Sequence, residues 1–408
     1  MKVLVLSHLY PNNMNKVSGI FVHEQVKALK KLGCDIRVIS PVPAVPFPLS
    51  VVSKKWKRYS KIQKIEEISD IKAYYPRMIM LPRDIIFHNS GKIYFHSIKQ
   101  LLKGIYKEFP FDIVHCHTAL PDGYAGSLVA QLYNKPIVTT IHGNDFQNTI
   151  HKSEKSKNAI VHAIKYSNKV VTVSNKLKNI GLSLFPDTNK FITVHNGVDL
   201  KNVHNCNKDL YEKYKNKKVI LSVGNLINSK GHDITIKAYK EILKTHIDVH
   251  LIIIGGGEEL TSLKTLINEL GIEDSVELLG QMPHEKVMSY MEICTLFVLP
   301  SWKEGFGVVY VEAMAHGKAV IGCKEEGIQD IINNWENGVL VNKKDIEDLT
   351  KSITVLLDNN KLRGNIEENA KKTVFDNLQW ENNAEKYFKI YNELINDIQS
   401  QFLKLNMD

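Results

Sequence analysis

Short runs of consecutive apolar residues recur along the chain. Most are followed by a polar or glycine-bearing loop and then by a stretch whose apolar positions return every three to four residues. Residues 2–7 (KVLVLS), 34–40, 111–115, 136–141, 169–174 and 191–195 form a first group of runs; 218–223, 250–254, 275–279, 295–300, 319–323 and 338–341 form a second. Runs rich in Val, Ile and Leu without alternation suit parallel strands buried on both faces. Between the first two lies a helix at 20–32 with Phe21, Val22, Val26 and Leu29 on one face, opened by Gly19 and closed by Gly33. Further helices are expected at 123–133, at 349–370 and from 380 to about 404, where Tyr387, Tyr391, Leu394, Ile395 and Ile398 form a stripe. Strand, loop, helix and strand repeated in this way predict an α/β chain of doubly wound sheets. The pattern breaks over 41–90, and there is no G-x-G-x-x-G after the first strand, which excludes the usual NAD or FAD turn.

Composition narrows the picture. At 408 residues the chain is too long for one core, so two domains are expected; 43% hydrophobic and 24% charged residues describe a globular protein. Cysteines 34, 116, 206, 294 and 323 are scattered without a C-x-x-C pair, against a zinc site or disulfide framework and in favour of a reducing compartment. No signal-peptide pattern and no membrane-spanning run are found, so the expected location is the cytoplasm, at most peripheral on the inner membrane face. The charge is lopsided: residues 1–100 hold 17 Lys and Arg against 6 Asp and Glu, and the remainder 36 against 38. Residues 53–64 (SKKWKRYSKIQK) carry six of these basic residues with Trp56 and Tyr59 between them. Two readings stay open here, a solvated loop and a contact with an anionic membrane surface, the latter supported by the basic stretch 92–107. Nucleic acid is set aside because no RNA-binding signature accompanies the patch.

The strongest chemical signal is residues 295–317. An apolar strand runs into Glu304-Gly305-Phe306-Gly307, and a helix follows from Val308 to a stop at Gly317. A helix starting after a glycine loop turns free N–H groups and a positive dipole end toward the loop mouth, a seat for phosphate. Glu304 and Glu312 flank that seat, the second on the order of 7 Å along the helix axis. Carboxylates beside an anion are favourable when they accept hydrogen bonds from neutral hydroxyls, and a nucleotide sugar offers hydroxyls at both ends of its diphosphate. His115 and His117 share a strand face but lack a third metal ligand at useful spacing, and no D-x-D occurs, so no metal is expected.

Glu304-Gly-Phe-Gly…Glu312 resembles the E-x7-E element of retaining glycosyltransferases of the GT-B fold, family 4 (group 1). His142-Gly-Asn-Asp145, Asn196-Gly-Val-Asp199 and Gly224-Asn-Leu…Lys230-Gly231 fall in the order this family has them. The resemblance implies two Rossmann-like doubly wound domains facing a central cleft. The N-terminal acceptor domain would be 1–197 and the C-terminal donor domain 198–379, with a last helix, about 380–408, packing back on the first. It places Gly19, Asn225, Lys230, Met282, Glu304, Gly305, Phe306, Gly307, Val308 and Glu312 around the donor, and His142 and Asp145 toward the acceptor. His142, Glu304 and Lys230 would carry catalysis. Asn225 stands where the family has Arg, so one fixed positive charge is missing. A satisfied core histidine at 142, a plain surface lysine at 230 and a mere helix start at Gly19 remain alternatives. The expected partners are a UDP- or GDP-sugar and an acceptor glycan or lipid-linked sugar, with no cofactor. A nucleotide-sugar epimerase or hydrolase, and a non-catalytic nucleotide-sugar-binding protein at the membrane, are the competing functions.

Overall fold

A computed structural model describes residues 1–45, 53–79, 87–200 and 207–405, so the Pro-rich segment after 45 and Cys206 lie outside the described residues. The chain divides into two compact units, Met1–His195 with Trp380–Asp408, and Asn196–Gln379.

The first unit is built on β1 (Lys2–Leu6), β2 (Asp35–Ile39), β3 (Val42–Pro43), β4 (Ile65–Ile68), β5 (Ile71–Tyr74), β6 (Arg77–Met78), β7 (Ile113–His117), β8 (Ile137–Ile141), β9 (Lys169–Thr172) and β10 (Phe191–Thr193). Eight of these form one sheet in the order β10-β9-β8-β7-β1-β2-β5-β4, while β3 and β6 pair apart. All its pairs are parallel except β4 on β5. Neighbouring residues of β1 supply both faces. Val3 and Val5 join the core under the helices Ile20–Lys31 and Trp380–Leu405, whereas Leu4 and Leu6 join the core under Ser90–Glu108 and Tyr124–Tyr133. All four are fully buried, each worth roughly 1.5–3 kcal/mol of transfer free energy. The break expected over 41–90 is corrected: β4 and β5 extend the sheet there, and Lys54–Ser60 is a helix, not a loop. Four-residue edge strands with the half-exposed pattern of β4 bury too little apolar surface to announce themselves.

The last helix is fixed to the first unit by polar groups as well as by its apolar stripe. Gln25 Nε2 donates to Asn383 Oδ1 at 2.7 Å and Asn383 Nδ2 to the His195 carbonyl at 2.7 Å. Tyr387 meets Thr140, and Tyr391 meets His115 Nδ1, both at 2.7 Å. Of the expected stripe, Tyr387, Tyr391 and Leu394 are buried and Ile395 packs beside them, while the Ile398 side chain lies outside the described residues.

The second unit contains β11 (Lys218–Val223), β12 (Val249–Ile254), β13 (Val276–Leu278), β14 (Leu296–Val298), β15 (Ala319–Cys323) and β16 (Val339–Val341) in the order β13-β12-β11-β14-β15-β16. All pairs are parallel. Counted within the unit this is 3-2-1-4-5-6, the order of dinucleotide-binding sheets. Each sheet therefore has one place where strand order reverses, between β1 and β7 and between β11 and β14. A crevice opens there outside the carboxyl ends of the strands. The segments entering and leaving this unit run side by side, Val198 N–H donating to the Leu378 carbonyl at 2.9 Å. The cysteines Cys34, Cys116, Cys294 and Cys323 are free and buried.

Asn383 answers two polar groups at once, one of them buried, so truncating it strands both. Asn383→Ala is expected to cost about 1–3 kcal/mol in urea unfolding, and an unchanged midpoint would show that these bonds do not hold the helix.

Candidate functional site

At the reversal in the first sheet, β1 ends beside His8 and β7 runs into Thr118–Asp122. His8 Nδ1 lies 2.9 Å from Asp122 Oδ2, and the His8 N–H donates to Asp122 Oδ1 at 2.9 Å. Burial opposes the charged imidazole, but the Asp122 carboxylate outweighs it and raises His8 above its ordinary value. Asp145, 2% exposed, accepts from the N–H groups of Ala119 (2.8 Å) and Leu120 (3.4 Å) and so braces the turn. Burial lifts the Asp145 carboxyl to about 6 against those donors. Between the two carboxylates Thr118 is held at φ +102°, which a β-branched residue rarely adopts.

His142 follows β8 and is half-buried, its ring stacked parallel on His117 at 5.3 Å and tilted against Phe21 at 4.6 Å. His117 Nδ1 and His142 Nε2 are 3.1 Å apart, while His117 Nε2 and His142 Nδ1 are buried without a hydrogen-bond partner among the described residues. His142 is thus not a satisfied core histidine; that role falls to His115, which meets both Thr140 Oγ1 and Tyr391. Burial, with the charge of His8 second, lowers His142 to about 3, so it is neutral near pH 7. His8, His117, Thr118, His142 and Asp145 line one cavity of about 270 Å³.

Gly19 closes the loop after β1 against itself. Its φ is +61° and an added Cβ would sit 2.2 Å from the Leu9 carbonyl oxygen, so the close approach it permits is to its own loop. Gly19→Ala is expected to lose about 1–2 kcal/mol from the left-handed backbone alone, with the clash adding to it. A variant of native stability would show that the loop tolerates a Cβ at this position.

At the reversal in the second sheet, the loop after β11 is stitched to the loop after β14. Trp302 N–H donates to the Ser229 carbonyl at 3.0 Å, and Gly231, at φ +73°, packs where a Cβ would meet the Pro300 carbonyl at 2.6 Å. This brings Lys230 Nζ into an ion pair with Glu304 Oε2, both side chains mostly buried. Glu304 is braced in turn: its N–H donates to Glu326 Oε2 at 2.7 Å, and Lys343 pairs with Glu326 Oε1 at 3.0 Å. Gly305 and Phe306 are buried, Gly307 sits at φ +86° over the Tyr310 ring, and the helix Val308–Ala315 begins there. Four positions into that helix, Glu312 Oε1 meets His284 Nε2 at 2.8 Å, and the Glu312 carboxylate raises the His284 imidazole above its ordinary value. Met282 is half-exposed on the loop after β13; Asn225 is exposed and its side chain makes no hydrogen bond among the described residues.

The expected donor residues thus separate into a core of Lys230, Glu304, Gly305, Phe306, Gly307, Val308 and Glu312 around one helix start, and outliers Asn225 and Met282 on adjacent loops. His8, Asp122, His284, Glu326 and Lys343 were not anticipated, and His117 was weighed only with His115 as a metal pair. His8 and Asp122 had a readable signal, since both stand just beyond strands flanking the reversal. Glu326 and Lys343 had none, because they act from separate strand ends. Among the described residues no group of three His, Cys, Asp or Glu is arranged to hold a metal ion, and no helix is long and apolar enough to cross a membrane.

Two α/β units, each with polar loops at the carboxyl ends of its sheet, are the architecture of the GT-B fold. The comparisons carry this to a family. Residues 206–373 match the model of glycosyl transferases group 1, and residues 18–202 that of glycosyltransferase family 4. The chain is 30% identical over 293 residues to the N-acetyl-α-D-glucosaminyl L-malate synthase of Bacillus anthracis, 70% of this chain and 76% of that one. It is 28% identical over 312 residues to the UDP-Gal:α-D-GlcNAc-diphosphoundecaprenol α-1,3-galactosyltransferase of Escherichia coli, 73% and 79% of the two chains. A sucrose-phosphate synthase structure from Thermosynechococcus elongatus superposes with TM-score 0.77 at 19% identity, covering 97% of this chain and 100% of that one. The chain belongs to the group 1, family 4 type glycosyltransferases.

The buried histidines set a pH dependence. Burial lowers His115 and His142 to about 3 and His232 to about 4, from an ordinary 6.5, and lowers His117 well below it. Folded values below unfolded ones mean that the unfolded chain binds protons first on acidification. Their contribution is present above about pH 6.5 and is lost as pH falls toward the folded values of about 3 to 4. Asp145 has the opposite sign: with its folded value raised to about 6, its contribution is lost as pH rises through 6 and offsets part of the slope. Net stability is expected to fall on acidification. In His115→Gln the slope should shrink by about one proton, roughly 1.4 kcal/mol per pH unit; equal slopes in urea melts at pH 5 and 6 would contradict this assignment.

Proposed function

We propose that the protein is a retaining glycosyltransferase that moves a sugar from a nucleoside-diphosphate sugar to a hydroxyl of an acceptor bound by the first unit. The observation that carries this reading is the Lys230–Glu304 pair beside the start of the Val308–Ala315 helix. Lys230 and the first-turn N–H groups offer positive charge to a diphosphate without occupying a hydroxyl site. Glu304, held by Lys230 and oriented through Glu326, accepts from the donor sugar hydroxyls. Glu312 accepts from the ribose hydroxyls with the oxygen that His284 leaves open. His142, neutral near pH 7, sits toward the reacting centre as a dipole that does not repel a developing positive charge.

In the proposed step the bond from the anomeric carbon to the diphosphate oxygen breaks. The acceptor oxygen bonds to the same face of that carbon, and the acceptor proton passes to the departing phosphate oxygen. Stabilisation of the leaving group is assigned to Lys230 and backbone amides, with no metal required. Each carboxylate here already faces a cation or an N–H: Glu304 with Lys230, Glu326 with Lys343, Glu312 with His284. The α-D-glucosaminyl product in the name of the Bacillus anthracis relative is the outcome that retention from an α-linked donor gives. The lipid-diphosphate acceptor in the name of the Escherichia coli relative supports a lipid-linked sugar or cell-surface polysaccharide as acceptor class. The basic front of the chain supports an approach to an anionic membrane surface.

Thermal-shift screening with UDP-, GDP- and ADP-sugars should identify the donor, since binding raises apparent stability by mass action. Glu312→Ala is expected to raise the donor KM about tenfold or more, the worth of a charge-assisted hydrogen bond. Unaltered donor kinetics in that variant would refute the ribose assignment, and a product of inverted anomeric configuration would refute retention.

A further inference from the structure

A second cavity of the first unit, about 540 Å³, lies between the loop that follows β1, the end of β2 and the helix Lys54–Ser60. Its walls mix apolar side chains, Leu9, Met14, Val42 and Tyr59 among them, with polar ones, and among the described residues its lining contains no Asp or Glu. Two side chains in it are cationic or become so. Arg58 spends one donor on the Met14 carbonyl, Nη2 to oxygen at 2.9 Å, and keeps the remaining donors of its guanidinium. His8 is tied to Asp122 through Nδ1, so its opposite nitrogen, Nε2, is the free one and makes no hydrogen bond among the described residues. His8 also lines the 270 Å³ cavity that holds His142, and so forms part of the wall of both.

This placement has a chemical consequence. A ligand seated in the larger cavity has its polar end at His8, next to the space where His142 waits. An imidazole backed by a buried carboxylate and a guanidinium, in a lining free of acids among the described residues, favour an anion over a neutral group. Apolar walls between them fit the carbon skeleton that carries it. We propose that His8 and Arg58 are specificity-determining residues that select an acceptor bearing an anionic group, a phosphate or carboxylate, close to the hydroxyl that receives the sugar. The proposal rests on the acceptor-binding reading of the first unit given above. It adds the chemical class of the acceptor and the two residues that read it. A free acid and a lipid phosphate headgroup share this chemistry.

The test uses the full chain with UDP present, so that a diphosphate site in the second unit is filled, and inorganic phosphate as the probe. The His8 ring resonances are followed by NMR and assigned by their loss in His8→Gln. Phosphate is expected to shift them saturably. Its affinity should fall about tenfold or more in Arg58→Gln, as for loss of a charge-assisted hydrogen bond, and stay unchanged in Lys230→Ala. Because His8→Gln leaves Asp122 buried without its partner, the exposed Arg58 is the variant that decides. No shift at His8, an affinity unchanged in Arg58→Gln, or an affinity lost only in Lys230→Ala overturns the proposal. Glycerol 3-phosphate and phosphatidylcholine vesicles with and without polyprenyl phosphate are then tested as competitors. Displacement by the first identifies a free acid and displacement by the polyprenyl phosphate vesicles a lipid headgroup, and either supports the proposal. Displacement by neither marks an adventitious ion only and overturns it. Failure of the transferase reading itself would look different: phosphate binding intact, with no sugar transfer to any acceptor.

Discussion

The charged groups at the two strand-order reversals come in opposed pairs, and the loops around them depend on that pairing. His8 stands against Asp122 in the first unit, and Lys230 against Glu304 in the second. Removing one partner of such a buried pair strands the other, at a cost of about 3–5 kcal/mol. The loops that carry these groups are therefore not free to drift. In the first unit the strained Thr118 turn is clamped from both ends by Asp122 and Asp145. In the second, the glycine loop is anchored through Glu326 and Lys343. Parallel sheets make such an arrangement economical. The carboxyl ends of the parallel strands point one way, so residues far apart in the chain meet at one rim.

That geometry explains what could be read in advance. The strands were legible because a strand buried on both faces has no choice but to be continuously apolar; β1, with Val3 and Val5 under one helical layer and Leu4 and Leu6 under the other, is the clearest case. The donor-side core was legible because a glycine loop before a helix leaves a compact local mark. What failed to show depended on contacts between distant segments. Glu326 and Lys343 brace Glu304 from the ends of β15 and β16, and no local spacing links them to it. His284 reaches Glu312 across 28 residues. Gly19 was legible as special, but the Leu9 carbonyl that excludes a Cβ there is a tertiary contact that no local spacing announces.

The pair of histidines 117 and 142 illustrates how burial, more than sequence, assigns roles. His115 and His117 are two residues apart on β7, yet one is satisfied by Thr140 and Tyr391 and the other is left with an open nitrogen beside His142. Both are held neutral by removal from water. The difference lies in the last helix, whose Tyr391 hydroxyl reaches His115. A segment at the far end of the chain thereby separates a structural histidine from one left available to a ligand.

The outer border of the first sheet bears on how the molecule behaves in a crowded solution. β4 runs against its neighbour and carries Glu66 and Glu67 at its centre, and Glu66 also accepts from the Asn13 N–H at 3.1 Å. An open parallel border would offer a ready template for another polypeptide to add itself. Here the last strand is short, reversed and acidic in an otherwise strongly basic region, so such stacking is discouraged.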